Sequence, residues 1–292
     1  MDNNLLSGLD NLGLGNLTGL DIYDTPHKEQ RTHAVAQTAA KVTEFREEDM
    51  VFDKTFTCPV CDKEFKSKMV RSGRARAIGS DMDLRPRYEN IDVIKYDIIA
   101  CPHCGYAGLE KNFPYLTPSQ RKAIKENICE SFRPRQVDPQ KKIYTYQEAL
   151  EQHKLALVNA IVKRGKDSEK AYICLKTGWL LRGETELLDQ KDPEYARKKH
   201  DNDSAENQFL RNAYDGFLKA RANESFPICG MDNMTIDYLL SALAIRFEEY
   251  ETAAKLIGGI ITSRGANSRI KDRARDLKDV LVAKMKERNA NE

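Results

Sequence analysis

The sequence predicts an α+β fold that is mostly α, on three observations. Two Cys-x-x-Cys pairs, Cys58/Cys61 and Cys101/Cys104, bracket a segment of short β-type runs. From residue 117 onward, apolar residues recur with helical period behind clear start signals. A small–large–apolar pattern then returns three times along those helices. The expected organisation is a disordered tail and spacer over 1–50, a small β-rich module over 51–116 and a helical domain over 117–292.

Residues 1–25 are built from Leu, Asn, Gly and Asp, in half-repeats such as Gly8-Leu9-Asp10-Asn11-Leu12. Glycines at that density oppose an isolated helix, so a disordered tail is expected. Its leucines also suit a short peptide that orders on a partner. The whole 292-residue chain carries 47 basic and 45 acidic side chains, a formal charge of +2. That near-neutrality excludes a chain-wide polyelectrolyte, so any nucleic-acid footprint must be a local patch. No apolar run approaches the ~18 residues of a membrane span. Asp2 and the absence of early Lys or Arg argue against a secretory leader. The expectation is a cytoplasmic protein with reduced thiols and no membrane partner.

In the β-rich module, Val51-Phe52 and Thr55-Phe56-Thr57 lead into the first cysteine pair, and an apolar-rich run over Asp92–Ala100 reads as a strand. Two thiolates two residues apart grip one metal ion from a tight turn, and two such turns complete a tetrahedral Cys₄ site. Cys58, Cys61, Cys101 and Cys104 are therefore the expected ligands of a structural Zn²⁺. Four thiolates close the coordination sphere, which leaves His103 a bystander. The alternative, a redox dithiol, would want one pair near a βαβ pattern. The 62–100 insert is long for a compact finger. Doubling a loop costs only ~0.6 kcal/mol, against roughly 10–16 kcal/mol from a structural zinc.

Residues 63–87 of that insert hold eight Lys and Arg against three acidic side chains, a local +5. Arg71, Arg74, Arg76 and Arg85 are the candidate residues for a phosphate ligand or nucleic acid, because guanidinium forks match phosphate oxygens. A solvated hairpin paired internally with Asp81 and Asp83, or an acidic protein partner, explains the same charge.

Thr117-Pro118-Ser119-Gln120 starts the helical part with a capping box and Pro at the first helical position. Ile124, Ile128 and Phe132 continue as one apolar face. Further helices are expected near 145–163, 168–188, 193–222, 233–247, 250–262 and 267–288, with Asp192-Pro193 repeating the cap-plus-proline start. Gly183, Gly230 and Gly265 are read as ends or turns. Ala149/His153/Ala156, Ala213/Phe217/Ala220 and Ala253/Ile257/Ile260 share one spacing that puts each trio on one helix face. The pattern resembles the second helix of a tetratricopeptide repeat, in degenerate form. Ile270, Ala274, Leu277, Leu281 and Met285 give the last helix one apolar side, as a capping helix needs.

Together, Thr57-Cys58-Pro59-Val60-Cys61 with Phe65, Val70-Arg71-Ser72-Gly73-Arg74, Asp81-x-Asp83-Leu84-Arg85-Pro86, Tyr96-Asp97 and Cys101-Pro102-His103-Cys104-Gly105-Tyr106 resemble the bacterial domain of unknown function 2225 family. Phe226-Pro227-Ile228-Cys229-Gly230-Met231-Asp232 resembles a second signature of that family. The resemblance implies a zinc-ribbon-like module ahead of tetratricopeptide-like helices, with no activity assigned.

No P-loop, dinucleotide fingerprint or nucleophile elbow is present. Cys129, Cys174 and Cys229 read as structural thiols in apolar helical surroundings. His153 reads as a packing residue, His200 as part of a solvated face, and Asp81/Asp83 as a weak cation pair. The expected function is non-enzymatic: a zinc-stabilised adaptor whose helical groove takes a peptide or protein. Nucleic-acid or nucleotide binding through the arginine-rich insert is the alternative.

Overall fold

Each Cys-x-x-Cys pair forms the turn of an antiparallel hairpin. β1 (Val51–Thr57) pairs with β2 (Glu64–Val70) around the first, in a register that sets Phe56 opposite Phe65. The insert carries its own hairpin, β3 (Ala77–Ser80) with β4 (Pro86–Tyr88). The second pair turns between β5 (Ile98–Ala100) and β6 (Ala107–Leu109). The computed structural model describes residues 46–134, 138 and 140–291, all within the unit Glu44–Glu292. The Leu-rich tail and its docking peptide lie outside the described residues.

The strand expected over Asp92–Ala100 is only partly one. Val93–Tyr96 is a 3₁₀ turn, because the Asp92 carboxylate accepts the Ile94 N–H at 3.1 Å and caps it. A short acidic side chain that bonds its own backbone two residues on competes with a sheet ladder. The remaining strand, β5, buries both faces. Ile99 joins the cysteine-lined core, and Ile98 packs with Ala156 and Ala160 of the helical part. An apolar run without alternation is what a doubly covered strand produces.

A four-residue helix, α1 (Glu47–Met50), precedes β1. α2 (Pro118–Ile124) starts on its capping box. The Thr117 hydroxyl accepts the Gln120 N–H at 3.3 Å, and the Gln120 side chain accepts the Thr117 N–H at 3.1 Å. It continues as a π-helical turn, Lys125–Cys129, with Ile124 and Ile128 buried. α3 (Tyr146–Val162), α4 (Asp167–Glu186), α5 (Tyr195–Asn223), α6 (Asn233–Arg246), α7 (Tyr250–Thr262) and α8 (Ser268–Asn291) follow. Each of these packs on the next in sequence, and α8 also covers α6. All nine side chains of the three recurring trios are buried, between 0 and 2% exposed. Along α8 the apolar side is covered as far as Leu281 and emerges at Met285.

Two start and stop signals are corrected. Asp192-Pro193 does not open α5, which begins at Tyr195; the Asp192 carboxylate instead takes the Glu194 N–H at 2.8 Å and the Lys198 ammonium at 2.7 Å, holding a turn. Gly183 does not end a helix but lies buried inside α4. A Cβ there would stand 2.6 Å from Arg85 Nη2 and 2.7 Å from Asp92 Oδ2, so the glycine serves close approach.

Candidate metal centre

The two cysteine turns are near copies of each other. The N–H of Cys58 donates to the Lys63 carbonyl at 3.0 Å and that of Cys101 to the Tyr106 carbonyl at 2.8 Å. The N–H after the second cysteine returns to the first cysteine's carbonyl in both, Asp62 to Cys58 and Gly105 to Cys101. That closure needs a left-handed residue after the second cysteine, and Asp62 (φ 60°) and Gly105 (φ 76°) supply it. At Gly105 a Cβ would also stand 2.4 Å from the Phe132 ring.

Held this way, the four Sγ atoms lie within 4.8 Å of one another. Cys58 and Cys104 are 3.5 Å apart and Cys61 and Cys101 3.7 Å. A tetrahedron of thiolates about 2.3 Å from a central ion has edges of about 3.8 Å. The donor set fits a metal ion in both chemistry and spacing. Hydrogen bonds from Cys104 and Cys58 pull the Cys101 thiol far down, while the bond with Cys101 pushes Cys58 up to about 12 and Cys104 upward too. Phe56, Phe65, Phe113 and Tyr106 pack beside it with ring centroids 4.8–6.1 Å apart. α3 reaches in through Asn159, whose amide donates to the Gly105 carbonyl at 2.9 Å.

His103 stands outside the cluster, its Nε2 3.4 Å from the Glu64 carbonyl. A fifth thiol, Cys129, packs half-buried against the cluster from the π-helical turn, and its pKa is raised chiefly by burial. Sequence reasoning missed this neighbour, since a single cysteine 25 residues past the second pair carries no spacing signal. Cys174 is buried and Cys229 half-buried; burial pushes both thiols up to about 11.

The four candidate arginines of the insert do not share one face. Arg85 is 3% exposed, bonded to Glu186 at 3.0 Å and Asp92 at 3.3 Å. Arg87 adds a bidentate pair to Glu186 at 2.6 and 2.7 Å and a bond to Asp81 at 2.6 Å. From α4, Arg182 bonds Asp81 and Asp83, and Trp179 donates its indole N–H to Asp83 at 3.0 Å. Much of the charge that looked like a basic patch is therefore a lock between the β3–β4 hairpin and α4. Arg71, Arg74 and Arg76 remain outside. Arg71 lies 5.3 Å over the Phe52 ring and Arg76 is 3.5 Å from Glu89, while Arg74 has no ion pair among the described residues. Arg71, Ser72 and Gly73 help line a cavity of about 330 Å³.

His153 is fully buried, with Nδ1 bonded to the Ala149 carbonyl at 2.8 Å and Nε2 without a partner. A carbonyl only accepts, so Nδ1 carries the proton. Burial then drives the imidazole pKa down to about 4. His200 is exposed. Among the described residues, no helix is long and apolar enough to cross a membrane.

No curated protein and no solved structure matches the chain. The family described as "Uncharacterized protein conserved in bacteria (DUF2225)" matches residues 51–281, which takes in both cysteine turns, the arginine lock and the helices as far as Leu281 in α8. With both cysteine turns and nearly all of the helical array inside that match, this chain belongs to the DUF2225 family of bacterial proteins.

Proposed function

We propose that the protein is a non-enzymatic, cytoplasmic adaptor in which a structural Zn²⁺ at Cys58, Cys61, Cys101 and Cys104 secures a platform for a peptide or protein partner. The convergence of four mostly buried sulfur atoms within 4.8 Å carries this reading. Four thiolates satisfy a tetrahedral ion completely, so the bound metal would supply rigidity rather than an open position for chemistry. Zinc is favoured by the all-sulfur donor set of four cysteines. For the partner surface, Val158 and Ile161 stand 48% and 56% exposed on α3, apolar area on the helix that also braces the metal turn. Elemental analysis of freshly purified protein should return one zinc per chain. Zinc well below stoichiometry, with a reversible Cys58/Cys61 disulfide, would replace this reading with thiol redox chemistry. An α3 variant, Val158→Asp with Ile161→Asp, should lose any partner captured by the native chain while keeping its zinc.

Phosphate or nucleic-acid binding is the second reading, favoured by Arg71 on the wall of its cavity and by Arg74, next in the exposed loop, which has no ion pair among the described residues. Arg85 would take no part, being held by carboxylates. A filter-binding series across salt concentrations tests it; retention unchanged by Arg74→Ala removes it.

A further inference from the structure

A cavity of about 580 Å³ lies where β6 and its following loop meet the start of α4 and the Glu224–Gly230 loop. Its size is that of a small-molecule site. Pro227, Ile228, Cys229 and Gly230 wall one side, and Leu109 and Tyr172 add further apolar surface. The metal cluster and the exposed arginines line other parts of the protein.

Its polar groups are unequal in what they have left to offer. Each carboxylate already accepts at least one donor. Glu224 accepts both the N–H of Ser168, at 2.9 Å, and its hydroxyl, at 2.6 Å. Glu169 accepts Lys163 at 2.7 Å and Asn112 at 3.3 Å; Glu110 is paired with Lys54, and Asp97 with Lys176. The donors are not exhausted. Lys163 and Lys176 are buried, 6% and 8% exposed, each with three N–H donors and a single carboxylate partner, and the Lys176 ammonium also lies 4.6 Å over the Tyr172 ring. Burial opposes the charge of Lys176, but Asp97 outweighs it and holds the group well above the usual lysine range. At the rim, exposed Lys111 and Lys166 have no ion pair among the described residues. With every carboxylate already bonded, two rim lysines left without an ion pair and an apolar wall, the cavity favours a ligand that is itself an acceptor with an apolar body.

We propose that this cavity is a binding site for a small organic anion, a carboxylate or phosphate head on an apolar or aromatic body. The head meets the lysines and the body lies against Ile228, Leu109 and Tyr172. The proposal is independent of the zinc and adaptor readings.

Three probes with one body test it on the full zinc-loaded chain by isothermal titration: 2-naphthoate, 2-naphthyl phosphate and neutral 2-naphthamide. At least one anion should bind saturably, with the amide at least roughly tenfold weaker. A preference between the two anions assigns the head group. Lys111→Glu with Lys166→Glu changes only exposed side chains; it should weaken the anions roughly tenfold and leave the thermal transition of the chain in place. Ser225→Trp at the exposed rim should reduce binding of every probe. The proposal is overturned if neither anion binds, if amide and anions bind alike, or if the charge-reversed variant binds the anions as the native chain does.

Discussion

Gly105 is needed twice over, for its left-handed backbone and for the space that the Phe132 ring fills. Gly105→Ala should therefore cost about 3 kcal/mol of stability, combining strain with overpacking, read as a lowered denaturant midpoint and weaker retention of metal. The matching position Asp62 already carries a Cβ, so Asp62→Gly should leave zinc content unchanged. His153 makes a different demand. Its folded pKa of about 4 lies below the ordinary 6.5, so the unfolded state binds more protons between those values. Stability from this residue is complete above about pH 6.5 and is lost as pH falls towards about 4, by on the order of 3 kcal/mol. Denaturant titrations at stepped pH should show that slope in the native chain and a flatter one in His153→Leu. Both residues were visible in the sequence, Gly105 within the Cys101–Tyr106 signature and His153 as a packing position. Neither the Phe132 contact nor the bare Nε2 was, because each depends on what another element places there.

Among elements, the β3–β4 hairpin and α4 are held by charge. Arg182 serves Asp81, Asp83 and Glu206 together. Removing it leaves Asp83, 8% exposed, without its cation. Arg182→Ala should cost about 3 kcal/mol, and Arg182→Lys should recover little of it, since an ammonium cannot reproduce the fork. The lock also titrates. Burial works against the charge of Asp81 and of Glu186, but hydrogen bonds from Arg87 and from Arg182 or Arg85 outweigh it and hold both below their ordinary values of 3.8 and 4.5. Their contribution is present at neutral pH and lost as pH falls below about 4. Amide exchange of β3 and β4 should rise there before that of α6 and α7. The arginine-rich stretch announced a charge density in the sequence, but not its destination. Glu186 lies 101 positions from Arg85, and no local pattern links them.

At the scale of the whole molecule, metal removal should destabilise the helical array as well as the cysteine turns. β5 is covered by the cysteine core on one face and by α3 on the other, and Asn159 ties α3 to the second cysteine turn. Stripping the metal with a chelator should therefore lower the melting temperature of the helical circular-dichroism signal itself. A helical transition indifferent to chelation would show that the two parts are energetically separate.

By itself the sequence determined the α+β class, the pairing of Cys58, Cys61, Cys101 and Cys104 in one cluster, the capped start at Thr117 and the buried trios of α3, α5 and α7. These signals act within a turn or two of chain, where backbone geometry and side-chain spacing leave few alternatives. Tertiary structure alone decided that Gly183 lies inside a helix and that Cys129 abuts the four-cysteine cluster. It also committed Arg85 to carboxylates and gathered lysines from separate elements around one cavity. Those outcomes depend on groups brought together by packing, and the energy of a charge or a cavity belongs to all of its neighbours at once.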